Sequence, residues 1–158
     1  MGKELLLEIG TEEIPAAFLP QAMKDMEEAL LEFSDEIASR LRAEGLTARC
    51  VHVKARTGSF RTMTRAQTLP EPTDLTDEIW RVACRLLREK VDFDGEGARL
   101  LGVSVSGFQP AGTGQGSLFP DPQREKRRKA EAVVDAIRRR FGRDALRRAR
   151  LAEDKGDG

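Results

Sequence analysis

The sequence predicts an α+β fold, in which a four-stranded antiparallel or mixed sheet carries two helices on one face and is followed by a C-terminal helix. Three observations predict it. Two segments of helix length carry apolar residues at steps of three and four, four shorter segments have the composition of strands, and together they follow the order βαββαβ. A last segment with helical spacing comes after this set.

The first strand and the first helix come from the start of the chain. Lys3–Ile9 carries apolar residues on both faces, which is typical of a strand covered on both sides, so we expect it inside the sheet. A helix is predicted over Gln21–Ala43, and Gly45 is a stop signal for it. Its apolar stripe consists of Met23, Met26, Leu30, Phe33, Ile37 and Leu41.

A hairpin is predicted next, from Arg49–Ala55 and Phe60–Leu69 with a break at Gly58. In its first strand, one face carries Val51, Val53 and Ala55, and the other carries Cys50, His52 and Lys54. A bulge is compatible with the second strand. Pro70-Glu71-Pro72 is predicted to end that strand, because proline cannot donate to the ladder.

The second half of the sheet follows a second helix. This helix is predicted to begin near Asp74–Thr76, with the apolar face Ile79, Val82, Ala83, Leu86 and Leu87. The strand Arg99–Phe108 alternates between a core face of Leu101, Val103 and Val105 and a small polar face of Gly102, Ser104 and Ser106. The order is that of a split βαβ, ferredoxin-like arrangement, and we expect the face with Lys54, Ser104 and Ser106 to stay open.

The last part of the chain is predicted to be a loop, a helix and a tail. Asp121-Pro122 is a helix start signal, and the helix stripe consists of Ala130, Val133, Val134, Ile137 and Phe141. The resulting organisation is a strand and helix start over 1–27, a binding domain over 28–109, a flexible loop over 110–121, a helix and strand over 122–150, and a disordered tail over 151–158.

The composition excludes several classes of function. His52 is the only histidine, and the two cysteines, Cys50 and Cys84, lack the spacing of a zinc site or a disulfide framework. Phosphate-binding loops, HExxH and a Ser–His–Asp set are missing, and no strand presents paired carboxylates, so we expect neither catalysis nor a metal site. The apolar run Leu5–Leu7 is too short for a signal peptide or a membrane span. We therefore expect a cytoplasmic monomer.

The charges are separated along a chain whose net charge is zero. Residues 1–36 hold ten acids and two bases, whereas residues 37–68 hold seven bases and one acid. The basic part indicates either a polyanionic partner or a set of solvated helix faces. The hairpin favours the former, because arginine, lysine and small hydroxyls are the groups that contact phosphates. These side chains are Lys54, Arg56, Arg61 and Arg65, with Ser59, Thr62, Thr64 and Thr68 beside them.

The segments Phe60–Leu69 and Arg99–Phe108 resemble two strands of the little-finger domain of Y-family DNA polymerase IV. Ser34–Leu46 and Ala136–Gly142 are similar to its first and C-terminal helices, so the resemblance runs over about 31–150. It implies sequence-independent binding of duplex or primer–template DNA during translesion synthesis in DNA repair. The intact family enzyme would use Mg²⁺, but its metal-binding carboxylates are not found here. The implied contacts are Arg61, Thr62, Thr64, Arg65, Thr68, Ser104 and Ser106, to which charge adds Lys54 and Arg56.

Gln115–Phe119 resembles the peptide that binds the bacterial sliding clamp. The implied contacts are Gln115, Ser117, Leu118 and Phe119, and Gly116 departs from the motif because an apolar residue is typical there. A glutamine anchor and two adjacent apolar side chains suit a pocket on a partner. In the alternative interpretation, Leu118 and Phe119 fold back onto the domain.

Met1–Met26 resembles a different family, the N-terminus of the glycyl-tRNA synthetase β subunit, through Glu4–Pro15 and Phe18-Leu19-Pro20. Two alternatives to a DNA-binding module follow. The chain is a synthetase fragment whose partner is tRNA, or it is a non-functional hybrid remnant. The basic, hydroxyl-rich hairpin favours the DNA-binding module over the synthetase fragment.

Overall fold

The computed structural model describes the backbone of residues 5–9 and the whole of residues 20–112 and 119–147. The chain divides into two compact units, Met1–Gln115 and Gly116–Gly158. The first unit contains the sheet and two long helices, and the second contains the last helix.

Both helices of the first unit lie where the apolar spacing predicts them. Helix α1 spans Pro20–Ala43 and helix α2 spans Thr76–Lys90. Their apolar stripes are buried, apart from the half-buried Met23. The helices also meet through the Trp80 indole, whose Nε1 donates to the carbonyl oxygen of Glu27 at 2.9 Å. The packing of two amphipathic faces on one sheet therefore explains both helices.

The sheet has the strand order β1-β4-β2-β3, and every pair is antiparallel. Its strands are β1 (Leu5–Ile9), β2 (Leu46–Thr57), β3 (Thr62–Thr73) and β4 (Ala98–Ser106), and the two-residue β5 (Gln109–Pro110) pairs with the start of β2. Because β4 lies between β1 and β2, and β2 lies between β3 and β4, each βαβ unit is split as predicted.

The expected interior position of the first strand is wrong, because among the described residues β1 pairs with β4 alone and therefore forms an edge of the sheet. Apolar residues on both faces show that a strand is covered above and below. They do not show whether it has a neighbour on each side. The interior positions belong to β2 and β4, whose central ladder aligns Val51 with Val105 and Val53 with Val103.

The core lies between this ladder and the two helices. The strands contribute Val51, Val53, Ala55, Leu101, Val103 and Val105, all at most 1% exposed. The helices supply fully buried side chains, among them Ile37, Leu41 and Ile79. The predicted alternation is confirmed in β2, where half-buried and buried residues alternate from Cys50 to Thr57, whereas in β4 every residue from Leu101 to Val105 is buried.

The second hairpin strand does not end at Pro70, contrary to the prediction, but continues as β3 to Thr73. Proline is compatible with this strand because β3 is the other edge of the sheet. An N–H group that points outward from an edge strand has no neighbouring strand to bond, so its absence breaks no hydrogen bond of the sheet. A β-bulge, which the sequence allowed in this strand, is present in the pairing of β2 with β3. Regular pairing would place Pro70 opposite Ala48, but Thr73 stands there instead.

The second unit consists, in its described part, of helix α3 (Pro122–Phe141) and a 3₁₀ turn at Arg143–Ala145. Asp121 caps the helix, because its Oδ1 accepts a hydrogen bond from the backbone N–H of Gln123 at 2.9 Å. The strand predicted within 122–150 is absent as far as Arg147, the last described residue. The predicted apolar stripe is not buried, since Val133 and Phe141 are 58% and 68% exposed.

None of the helices in the described part of the chain is long and apolar enough to cross a membrane.

The core predicts the outcome of a truncation in the central ladder. We expect Leu101→Ala to lower the free energy of unfolding by about 2–5 kcal/mol, because Leu101 is fully buried and its loss leaves a cavity. Urea unfolding followed by the fluorescence of Trp80, the only tryptophan, measures this change. Thr64→Ala is the control on the exposed side of β3 and should change stability by less than about 0.5 kcal/mol. Equal effects of the two substitutions would contradict this description of the core.

Candidate nucleic-acid interface

The sheet face turned away from the two helices is the candidate interface, and we call it the open face. Residues directly opposite in an antiparallel pair share a face. The pairing of β2 with β3 therefore brings four residues of each strand to the open face: Cys50, His52, Lys54 and Arg56, opposite Thr68, Ala66, Thr64 and Thr62. These side chains are all exposed or half-buried.

Strand β4 contributes smaller groups to the open face. Gly102, Ser104 and Ser106 lie opposite Lys54, His52 and Cys50. Ser106 is half-buried, and its Oγ lies 2.8 Å from Nε2 of His52. The prediction that Ser104 is open is wrong, because this residue is only 4% exposed. The strand order is the reason, since Ser104 belongs to a strand with neighbours on both sides and faces the larger His52.

The three strand segments that form this surface carry no acidic residue. Segments 46–57, 62–68 and 98–106 contain five bases, Arg49, Lys54, Arg56, Arg65 and Arg99, and neither Asp nor Glu. On the open face the positive charges are Lys54 and Arg56. The Arg56 side chain is held by Thr62, whose Oγ1 accepts from Nε at 2.9 Å. A surface of this sign and chemistry suits a polyanion.

Arg65 does not lie on the open face. It stands opposite Val53, a core residue, so it projects toward the helix side of the edge strand β3. There its Nε donates to the carbonyl oxygen of Lys90, the last residue of α2, at 2.9 Å. This bond satisfies one of the carbonyls that a helix leaves without a partner at its C-terminus. The structure therefore separates Arg65 from Lys54.

Arg61 is also drawn away from the centre of the face, by the loop that joins α2 to β4. Its guanidinium donates to the carbonyl oxygen of Asp92 and forms an ion pair with Asp94 Oδ2, both at 2.8 Å. The predicted basic residues therefore form two groups. Lys54 and Arg56 lie on the open face, and Arg61 and Arg65 lie at the edge formed by β3.

The turn of the hairpin contains two features that the sequence patterns did not indicate. Phe60 is 62% exposed and has a φ of 66°, a left-handed conformation that is uncommon for a side chain of this size. The guanidinium of Arg99 lies 4.3 Å from the centre of its ring. Gly58 marks the turn in the sequence, but only the pairing of β2 with β4 brings Arg99 there. The His52–Ser106 contact depends on the same pairing.

Glu96 fastens this turn to the loop before β4. Its carboxylate accepts the backbone N–H of Ser59 at 3.0 Å, and this bond lowers the pKa of Glu96, with further contributions from the hydroxyls of Thr57 and Ser59. Hydrogen bonds to the ionised form stabilise it relative to the protonated form. The ionised carboxylate therefore helps to hold the turn in place.

Most of the predicted clamp-binding peptide lies outside the described residues. Gln115, Ser117 and Leu118 fall in that part of the chain. Phe119 is described and is 87% exposed. In the described part of the chain, no group of three or more His, Cys, Asp or Glu side chains could hold a metal ion.

Comparison with protein-family models finds a match to the impB/mucB/samB family C-terminal domain, over residues 19–118. This range includes both long helices, the hairpin and the strand β4. The chain belongs to this family. The resemblance to the polymerase little finger is thereby confirmed, and residues 1–18 lie outside the match.

Curated relatives of this chain are DNA polymerases. The chain is 34% identical over 125 residues to DNA polymerase IV 1 of Mesorhizobium japonicum, and the match covers 79% of this chain and 28% of the relative. It is 37% identical over 127 residues to DNA polymerase IV of Desulfatibacillum aliphaticivorans, covering 79% of this chain and 32% of the relative. The chain therefore spans less than a third of the length of these relatives.

A solved structure supports the fold of the family member. It is the complex of the beta-clamp processivity factor and the little finger domain of PolIV, which matches with a TM-score of 0.52 and 20% sequence identity. The match covers 73% of this chain and 98% of that chain. The predicted α+β architecture is confirmed by this likeness.

The lowered pKa of Glu96 predicts a pH-dependent contribution to stability. A carboxylate with a lowered pKa stabilises the folded state above its unfolded-state value of about 4.3, and this contribution is lost as the pH falls through the lower folded-state pKa. We expect Glu96→Gln to unfold at lower urea concentration than the unsubstituted chain at about pH 7, and the two midpoints to converge at about pH 2. A difference that persists unchanged at the lower pH would contradict the assigned role of the ionised carboxylate.

Proposed function

We propose that this chain binds duplex or primer–template DNA, independently of sequence, as the little-finger part of a translesion DNA polymerase IV. The observation that carries the proposal is the open face, where Lys54 and Arg56 lie among small hydroxyls, on strand segments 46–57, 62–68 and 98–106 that contain no acidic residue. Bases of this kind neutralise phosphates, and threonine hydroxyls donate to phosphate oxygens.

The proposed contacts follow the arrangement of the residues in the sheet. Those on the open face are Lys54, Arg56, Thr62, Thr64, Thr68 and Ser106, and those at the flanking edge of β3 are Arg61 and Arg65. Ser104 is not included, because its burial gives it a packing role beneath the face. The open face carries no Phe, Tyr or Trp, and its one imidazole, His52, is half-buried beside Ser106, so the proposed binding reads the backbone rather than stacking bases.

The relatives support this function over the alternatives. Their shared name is DNA polymerase IV, and the family match includes the complete hairpin and β4. We propose that the chain itself is non-catalytic, binds DNA as a monomer and needs no cofactor, whereas Mg²⁺ serves the catalytic part of an intact polymerase. Both proposed ligands, DNA and the sliding clamp, are cytoplasmic in bacteria, so we propose the same compartment for this chain.

The open face predicts a change in the salt dependence of DNA binding. Each neutralised phosphate contributes about −0.9 to the slope of log affinity against log salt concentration. We expect Lys54→Ala/Arg56→Ala to make the slope shallower by about 2. Fluorescence anisotropy with a labelled primer–template, from about 50 to about 200 mM salt, measures it. The titrations are repeated with EDTA, which should leave the affinity unchanged.

The matched comparison is Arg61→Ala/Arg65→Ala, which removes the same charge at the edge of β3. Its effect should be smaller, because Arg61 is already paired with Asp94 and Arg65 already donates to Lys90. A larger change in the slope for Arg61→Ala/Arg65→Ala than for Lys54→Ala/Arg56→Ala would show that the edge of β3, and not the open face, contacts the DNA. Absence of DNA binding by the unsubstituted chain would support the remnant hypothesis, and preference for tRNA of equal charge would support the synthetase hypothesis.

We also propose that Gln115, Ser117, Leu118 and Phe119 dock on the bacterial sliding clamp. The solved little finger domain that resembles this chain forms a complex with a clamp, which supports this function. The exposed ring of Phe119 also supports it, since exposed apolar groups next to polar ones are typical of peptide anchors.

Docking of this peptide predicts the effect of removing one aromatic side chain. We expect Phe119→Ala to weaken binding to a purified bacterial clamp about tenfold, because buried aromatic anchors contribute most of the energy of such interfaces. Surface plasmon resonance with immobilised clamp measures the loss. The matched control is Phe141→Ala, an aromatic of similar exposure elsewhere in the second unit, which should bind as the unsubstituted chain does. Equal affinity of the two variants would refute peptide docking.

A further inference from the structure

Helix α3 is the most basic element of the described chain. It contains eight arginines and lysines and three acids within twenty residues. The proposed function does not use this helix. Its charge is also distributed unevenly around its axis, and this distribution indicates what the helix could bind.

The acids of α3 lie mainly on its covered side. Glu131 is the one buried residue of the helix and Asp135 is half-buried, so neither presents its charge fully to solvent. The third acid, Glu125, is exposed and lies 4.0 Å from Lys129, with side chains that are 60% and 76% exposed. An exposed pair at this distance is weak and leaves Lys129 available to a stronger anion.

The opposite side of the helix is basic. Residues two apart point in nearly opposite directions, so Val133, 58% exposed, faces away from Glu131. Lys126, Lys129 and Arg140 lie on the same side as Val133, at steps of three, four and seven, and all are exposed. The guanidinium of Arg140 lies 5.5 Å from the centre of the ring of the next residue, Phe141. We call this surface the basic side of α3.

The spacing of these bases suits an extended anion. At a rise of about 1.5 Å per residue, Lys126 and Arg140 are separated by about 21 Å along the helix axis. Duplex DNA advances about 3.4 Å per base pair, so this length matches about six steps of the backbone. A protein groove would instead require large apolar anchors at the same positions. The residues between the charges of the basic side are small instead: Ala130, Val133 and Ala136.

We propose that the basic side of α3 binds the phosphodiester backbone of DNA, as a second contact in addition to the open face. The proposal rests on the proposed function, because DNA is the shared ligand. Lys126, Lys129 and Arg140 supply the charges, and the small residues between them let the helix approach the sugar–phosphate chain. The additional contact raises affinity without adding sequence preference, since it is made to phosphates.

The test compares two triple variants of the full chain. Lys126→Ala/Lys129→Ala/Arg140→Ala removes the basic side of α3. The matched control Lys24→Ala/Arg81→Ala/Arg85→Ala removes the same charge from exposed positions of α1 and α2. Anisotropy with labelled duplex DNA across a salt series should give a slope shallower by about 2–3 for the first variant and an unchanged slope for the control. Alanine favours helix, so circular dichroism should show that α3 persists.

The outcomes separate this inference from the proposed function. The inference is overturned if the triple variant of α3 keeps the slope of the unsubstituted chain while Lys54→Ala/Arg56→Ala reduces it. The proposed function stays intact in that case. The reverse pattern supports the inference and overturns the role of the open face. Binding of the basic side to anionic phospholipid vesicles, with no effect of the triple variant on DNA affinity, would also overturn it.

Discussion

Antiparallel pairing of β2 with β4 decides which side chains meet the helices and which meet solvent. Val53 lies opposite Val103 in the core, and the next pair along, Lys54 and Gly102, belongs to the other face. Because side chains alternate strictly along a strand, a slip of one residue would turn Lys54 into the core and expose Val53. The cost of burying that ammonium group fixes the register, and the same register determines the charge of the open face.

The sequence was sufficient to predict the helices and strands in which apolar residues recur periodically on one face. Helices α1 and α2 and the alternation of β2 and β4 depend on local spacing, which fixes their type. Strand order is different, because it depends on which edges meet in space. For this reason the edge position of β1 and the burial of Ser104 could not be predicted from Lys3–Ile9 or from the alternation around Ser104. The predicted stop at Pro70 failed for the same reason, since proline is excluded from interior strands and not from edges.

The candidate site was predictable in its chemistry and less so in its geometry. The sequence shows that the hairpin is basic and rich in hydroxyls. It does not show that Lys54 and Arg65 are on different sides of the sheet, because that depends on the pairing of Val53 with Arg65. Nor does it show the partners of Arg61, since Asp92 and Asp94 are distant in sequence and adjacent only in the folded chain. Residue type therefore indicated the ligand, and register determines which residues can reach it.

The two prolines of β3 have a consequence for the behaviour of the sheet in concentrated solution. A long exposed edge offers unpaired N–H and C=O groups to other chains and can start aggregation. Pro70 and Pro72 remove donors from the last part of this edge, and the bulge beside them interrupts its regular spacing. A second molecule adding to that part would find an incomplete ladder. The feature that makes β3 irregular thus also protects the domain from associating edge to edge with its own copies.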